Sequence, residues 1–114
     1  MDRIYLLTFD EHSRYSAARH IIKAFTNGQK LLKTLERCND AVDKLRSFFS
    51  DNTDWVDPFT IEIEDILTFP PDVRDAIVTI WKEEPDDENY LTRLTSIFEH
   101  NRSKYDLLVV KVEE

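Results

Sequence analysis

The two most strand-like stretches of this 114-residue chain stand at its opposite ends. Residues 3–9 contain Ile4, Tyr5, Leu6, Leu7, Thr8 and Phe9; residues 105–112 contain Leu107, Leu108, Val109, Val110 and Val112. Both stretches are short, β-prone and apolar at nearly every position, the pattern of a strand covered on both faces. Two such strands most economically share one sheet, which brings the ends of the chain together. A partner chain covering them is the alternative.

What lies between reads as helical. Asp10 or Ser13 can cap a first helix that runs to about Thr26, with Tyr15, Ala18, Ile21, Ile22 and Phe25 on its apolar face. Asn27-Gly28 then supplies the left-handed stop expected at a helix C-terminus. A second helix spans about 29–49, where Leu31, Leu32, Leu35, Cys38, Val42, Leu45, Phe48 and Phe49 keep a 3.6-residue period. The short break makes the two an antiparallel helical hairpin. Residues 50–58 form a loop. Residues 59–69 fit both periods, and the alternation of Phe59, Ile61 and Ile63 tips them toward a short strand that then turns. Pro70-Pro71 opens a helix with Val73, Ala76, Ile77, Ile80 and Trp81 on its inner face. Pro85-Asp86-Asp87 ends it and caps another, striped by Tyr90, Leu91, Leu94, Ile97 and Phe98 and closed by Asn101. The expected architecture is α+β: a mostly helical single domain, residues 1–114. About four helices pack on a two- or three-stranded sheet formed by the terminal strands, with 60–64 as the candidate third strand.

Composition narrows the function. Residues 1–50 hold nine Lys and Arg against six Asp and Glu, a net of +3, whereas residues 51–114 hold six against seventeen, a net of −11. The total of −8 disfavours nonspecific binding to nucleic acid or to an anionic membrane. It permits steering toward a basic partner. The single glycine, Gly28, leaves no phosphate-cradling loop, dinucleotide fingerprint or nucleophile elbow. The lone Cys38 falls in an apolar helix stripe, reads as a packed thiol and fits a reducing, cytoplasmic compartment. No apolar run has the length of a signal sequence or a membrane span.

Candidate chemistry is sparse. His12, His20 and His100 stand at no metal-ligand spacing. Asp10 ends the first strand, where an aspartate can hold a metal; the run from Tyr5 to Asp10 resembles the first strand of ferredoxin-like metal-dependent nucleases, and the remainder departs from that pattern. Its simpler role is the helix cap. Glu62, Glu64 and Asp65, and likewise Asp86, Asp87 and Glu88, lack calcium-loop spacing and read as solvated acidic surface. Asp51, Asp54 and Asp57 surround Trp55 and Phe59, an aromatic anchor ringed by steering charge, unless Trp55 plugs the core. The expected function is therefore a non-enzymatic acidic binding or regulatory protein of inhibitor, immunity or antitoxin type. It would need no cofactor and no metal, and would engage a basic surface of a partner protein through Asp51, Asp54, Trp55, Asp57, Phe59, Glu62 and Glu64. The alternatives are a metal-dependent nuclease built on Asp10 and a self-associating structural subunit, a homo-oligomer.

Overall fold

The computed structural model describes residues 3–12, 17–52, 62–84, 87–99 and 102–112. Among them, three strands and four helices follow in the order β1 (Arg3–His12), β2 (Ala17–Phe25), α1 (Gly28–Asp51), α2 (Ile63–Ile66), α3 (Pro71–Glu83), α4 (Asp87–Glu99) and β3 (Lys104–Lys111). The fold is α+β, with the helices packed against an antiparallel sheet of order β2-β1-β3. The terminal strands are direct neighbours, as their composition requires.

β1 is the central strand, and Leu7, Thr8 and Phe9 are wholly inaccessible. Its odd residues Tyr5, Leu7 and Phe9 stand opposite Val109, Leu107 and Tyr105 on the face that meets α1. The stripe read for the second helix holds except at Leu32, which is exposed: Leu31, Cys38, Val42, Leu45 and Phe49 are its buried line, with Leu35 and Phe48 partly buried beside it. They join Ile77 and Ile80 of α3 and Leu94 and Ile97 of α4 in one core.

Four expectations require correction. The first concerns residues 17–25, which form a strand hairpinned onto β1, so the third strand of the sheet comes from here. The register slips between Leu7 and Thr8, leaving Ile22 as an extra residue in β2. That bulge places the half-buried positions at His20, Ile22 and Phe25, and a three-residue step inside a strand imitates helical spacing. Asn27-Gly28 accordingly starts a helix. The Asn27 Oδ1 accepts the N–H groups of Gln29 at 2.9 Å and Lys30 at 3.2 Å. Gly28 has no positive φ; a Cβ there would lie 3.2 Å from the Tyr5 ring, a close contact that the ring would have to relieve by a few tenths of an ångström.

The second correction falls on residues 62–66, which make a helical turn in place of a strand. Asp65 Oδ2 accepts the Glu62 N–H at 3.0 Å, while the Glu62 carbonyl receives the N–H groups of Asp65 and Ile66. A reciprocal cap of this kind outweighs a five-residue alternation. Residues 59–61 lie outside the described residues. The third concerns Trp81, which sits on the flank of α3 and is 41% exposed, so it is not a core residue.

The fourth correction is β3. It is not covered on both faces: Tyr105 is buried, but Leu108, Val109 and Val110 are 38%, 44% and 38% exposed. β3 is an edge strand, and its outer face carries the same apolar content as a buried one.

Candidate protein-binding surface

Of the seven residues read as a binding patch, the structure places three. Asp51 ends α1 and is exposed; Glu62 and Glu64 are exposed around the start of α2. Asp54, Trp55, Asp57 and Phe59 lie outside the described residues. The exposed carboxylates continue through Asp65, Asp72 and Asp75, and none of these six pairs with a cation among the described residues. The same segment exposes Leu67, Val78 and Trp81, the last two one helical step apart on α3. Sequence reasoning missed Trp81 because a residue at the margin of an apolar stripe is assigned to the core or to solvent by packing, not by period.

The strand-end aspartate takes a different role from the helix cap expected of it. Asp10 lies within β1 directly opposite Arg19 of β2. The guanidinium forks onto both carboxylate oxygens at 2.8 and 3.2 Å and reaches Asp106 of β3 at 3.7 Å. Three strands are thereby tied together on the face away from the helices. A carboxylate held by a bidentate arginine is poorly placed to ligate a dication. Glu11 Oε2 lies 2.8 Å from His20 Nε2, and the His12 N–H donates to Ser103 Oγ at 3.2 Å. His100 and Asp86 lie outside the described residues, as do the side chains of Asp87 and Glu88. Among the described residues no three His, Cys, Asp or Glu side chains group as metal ligands, and no helix is long and apolar enough to cross a membrane.

Among the described residues the interior holds a charged pair that no sequence motif announces. Arg93 of α4 bonds both oxygens of Glu84 at 2.7 and 3.0 Å, with both residues buried. The guanidinium carbon stands 5.0 Å from the Phe9 ring centroid, and Tyr105 meets Phe9 edge-on, also at 5.0 Å. Burial pushes the Cys38 thiol up to about 12, with Glu83 adding to the effect, and raises the Tyr105 hydroxyl well above its usual value. Cys38 is thus a packed, unreactive thiol near neutral pH.

Among the described residues, grooves flank α1. One, of about 480 Å³, is lined by Phe25, Lys30, Lys33, Thr34, Glu36 and Arg37 and belongs to the basic half. Another, of about 590 Å³, lies between the start of α1 and β3, with Tyr5, Leu31, Leu32, Leu107 and Val109 in its wall. No family model, curated protein or solved structure matches the chain.

Proposed function

We propose that this chain is a non-catalytic protein-binding domain whose acidic half engages a basic surface on a partner protein. The observation that carries this reading is the coincidence, in one segment, of exposed carboxylates without cation partners among the described residues and exposed apolar side chains. Asp51, Glu62, Glu64, Asp65, Asp72 and Asp75 supply the charge; Leu67, Val78 and Trp81 supply the contacts. Charge arranged this way accelerates encounter, whereas a half-exposed tryptophan slows departure once its ring is desolvated. Asp54, Trp55, Asp57 and Phe59 extend the same chemistry along the chain.

The test is capture of a partner on immobilised full-length chain, followed by association and dissociation rates across a salt series. Asp72→Asn with Asp75→Asn lowers the association rate and flattens its salt dependence. Trp81→Ala raises the dissociation rate, costing about 2 kcal/mol or more in binding if Trp81 is an anchor. Trp55→Ala, made separately, reports whether residues 53–59 join the contact. Partner binding that ignores salt and all of these changes, in protein that still melts cooperatively, overturns the reading.

A further inference from the structure

We infer that β3 is the self-pairing edge of a two-fold dimer, in which the β3 strands of two copies of this chain run antiparallel across an axis at Val109. The surface is separate from the acidic segment of the proposed partner site. The main chain sets the register. Asn39 of α1 holds Tyr105 twice: its Nδ2 donates to the Tyr105 carbonyl at 3.1 Å, and its Oδ1 accepts the Tyr105 N–H at 3.0 Å. The peptide groups of Tyr105 therefore point away from β1. Alternation along an antiparallel strand directs those of Leu107, Val109 and Lys111 outward as well. The Leu107 N–H is met by its neighbour, Asp106 Oδ1, at 2.8 Å. Among the described residues nothing occupies the Leu107 carbonyl or the outward groups of Val109 and Lys111.

An open edge bounded by the Asn39 clamp excludes every symmetric pairing centred before Val109. With the axis at Val109, the two Val109 residues exchange hydrogen bonds, and Leu107 pairs with Lys111 of the second copy. Moving the axis to Leu107 sets Val109 of the second copy against Tyr105, where Asn39 already stands. Moving it to Leu108 sets Lys111 there. An axis at Val110 or Lys111 also spares the clamp but gives the Leu107 carbonyl no partner among the described residues. The Val109 axis pairs that carbonyl and both groups of each Val109, while the Lys111 carbonyl faces the Leu107 N–H that Asp106 Oδ1 already meets.

The side chains agree with that register. On the face away from the helices, Leu108 meets Val110 of the second copy, and their register partners on β1 are Leu6 and Ile4. An apolar band then crosses the four central strands of a six-stranded sheet. No like charges oppose each other: Lys111 faces Leu107, and Asp106 faces Val112. On the helix face, Val109 meets its own copy beside the apolar groove, next to Leu32, which is 54% exposed. From Leu107 to Val110 the edge carries no charge, proline or bulge, the devices that keep a solitary edge from pairing. The occupant is a second copy because the edge is complementary to itself in hydrogen bonding, in apolar contact and in charge.

The experiment measures the mass of the full chain in solution by sedimentation over a wide concentration range. It does so for the wild type, for Val109→Lys, for Val109→Glu, and for the two variants mixed. Wild type reaches twice the chain mass. Each variant alone puts like charges at the axis and loses about tenfold or more in dimer affinity, while keeping its cooperative melt. The equimolar mixture regains the dimer, because Lys and Glu then face one another. A wild type that is monomeric throughout, variants that dimerise as well as the wild type, or a mixture without recovery each overturns the inference. Amide exchange on the wild type gives a test free of mutation. The Val109 and Lys111 N–H groups are protected at high concentration and exchange on dilution. Fast exchange at every concentration, or protection in a monomer, overturns it equally.

Discussion

β1 and β3 lie side by side over eight register pairs, yet Leu7, Thr8 and Phe9 of the one are wholly inaccessible while Leu108, Val109 and Val110 of the other are 38–44% exposed. Both are near-continuous apolar runs. The difference comes from what stands on the far side of each. β2 closes the second edge of β1, whereas among the described residues only Asn39 reaches the second edge of β3. An apolar run thus encodes a strand and its need for cover. It does not encode who supplies the cover.

The sharpest way to break this contrast is to truncate the same kind of residue in each strand. Phe9→Ala empties a site that packs against Tyr105 and Arg93 and costs about 3–5 kcal/mol in denaturant unfolding. Val109→Ala, at a half-open position, costs about 1 kcal/mol or less to the single chain. Equal costs at the two positions would mean that β3 is as enclosed as β1.

The interior around β1 also differs from the β3 edge in its response to pH. The Cys38 thiol is raised from 9.0 to about 12 in the folded protein by burial. The folded state therefore keeps a proton that the unfolded chain releases, and the contribution to stability is complete below pH 9. Above it, stability falls by about 1.4 kcal/mol per pH unit until the folded thiol itself ionises. The raised Tyr105 hydroxyl steepens the decline above about pH 10. Cys38→Ala removes the thiol share of the slope, and Leu108→Ala leaves the slope unchanged. Urea unfolding at a series of pH values under reducing conditions reads both.

Asn39→Ala produces a smaller effect that belongs to the edge. The substitution frees the N–H and C=O of Tyr105 and costs about 1–2 kcal/mol, less than a fully buried pair because the site is part-open to water. Asn39→Asp keeps the acceptor but sets a carboxylate oxygen against the Tyr105 carbonyl, so it costs at least as much as Asn39→Ala. No loss in Asn39→Ala would show that the clamp is incidental to the edge.

The α+β class, the terminal strand pair, the core face of α1 and the Pro-opened α3 were legible because each rests on a long period or a strong punctuation signal. β2 was not, since the bulge at Ile22 put one three-residue step into a two-residue period. The Glu62–Ile66 turn was hidden for a related reason: its reciprocal cap is one side-chain bond, too local for periodicity to reveal. The candidate site was legible in its charge, through Asp51, Glu62 and Glu64, but not in its apolar contacts. Trp81 and Val78 owe their exposure to how α3 is rolled against α1, a tertiary fact.

Val110→Thr gives the smallest expected effect and decides the most about the outer face of the sheet. Val110 lies opposite Ile4 and is 38% exposed. Threonine keeps the β-branch and strand preference of valine and adds one hydroxyl. In an open position that hydroxyl is hydrated, and the unfolding free energy changes by about 0.5 kcal/mol or less. In a closed position the same hydroxyl loses water without gaining a partner, which costs about 1–3 kcal/mol. Measured in the Val109→Lys background, where self-pairing is suppressed, a small change means that the single chain leaves this face bare. A large change would mean that the chain covers the face itself, and β3 would then resemble β1 after all. Repeated in otherwise wild-type protein, the substitution reads the face as the dimer holds it. There Val110 sits against Leu108 of the second copy, so any extra cost beyond the single-chain value is the part of its cover that a second copy supplies.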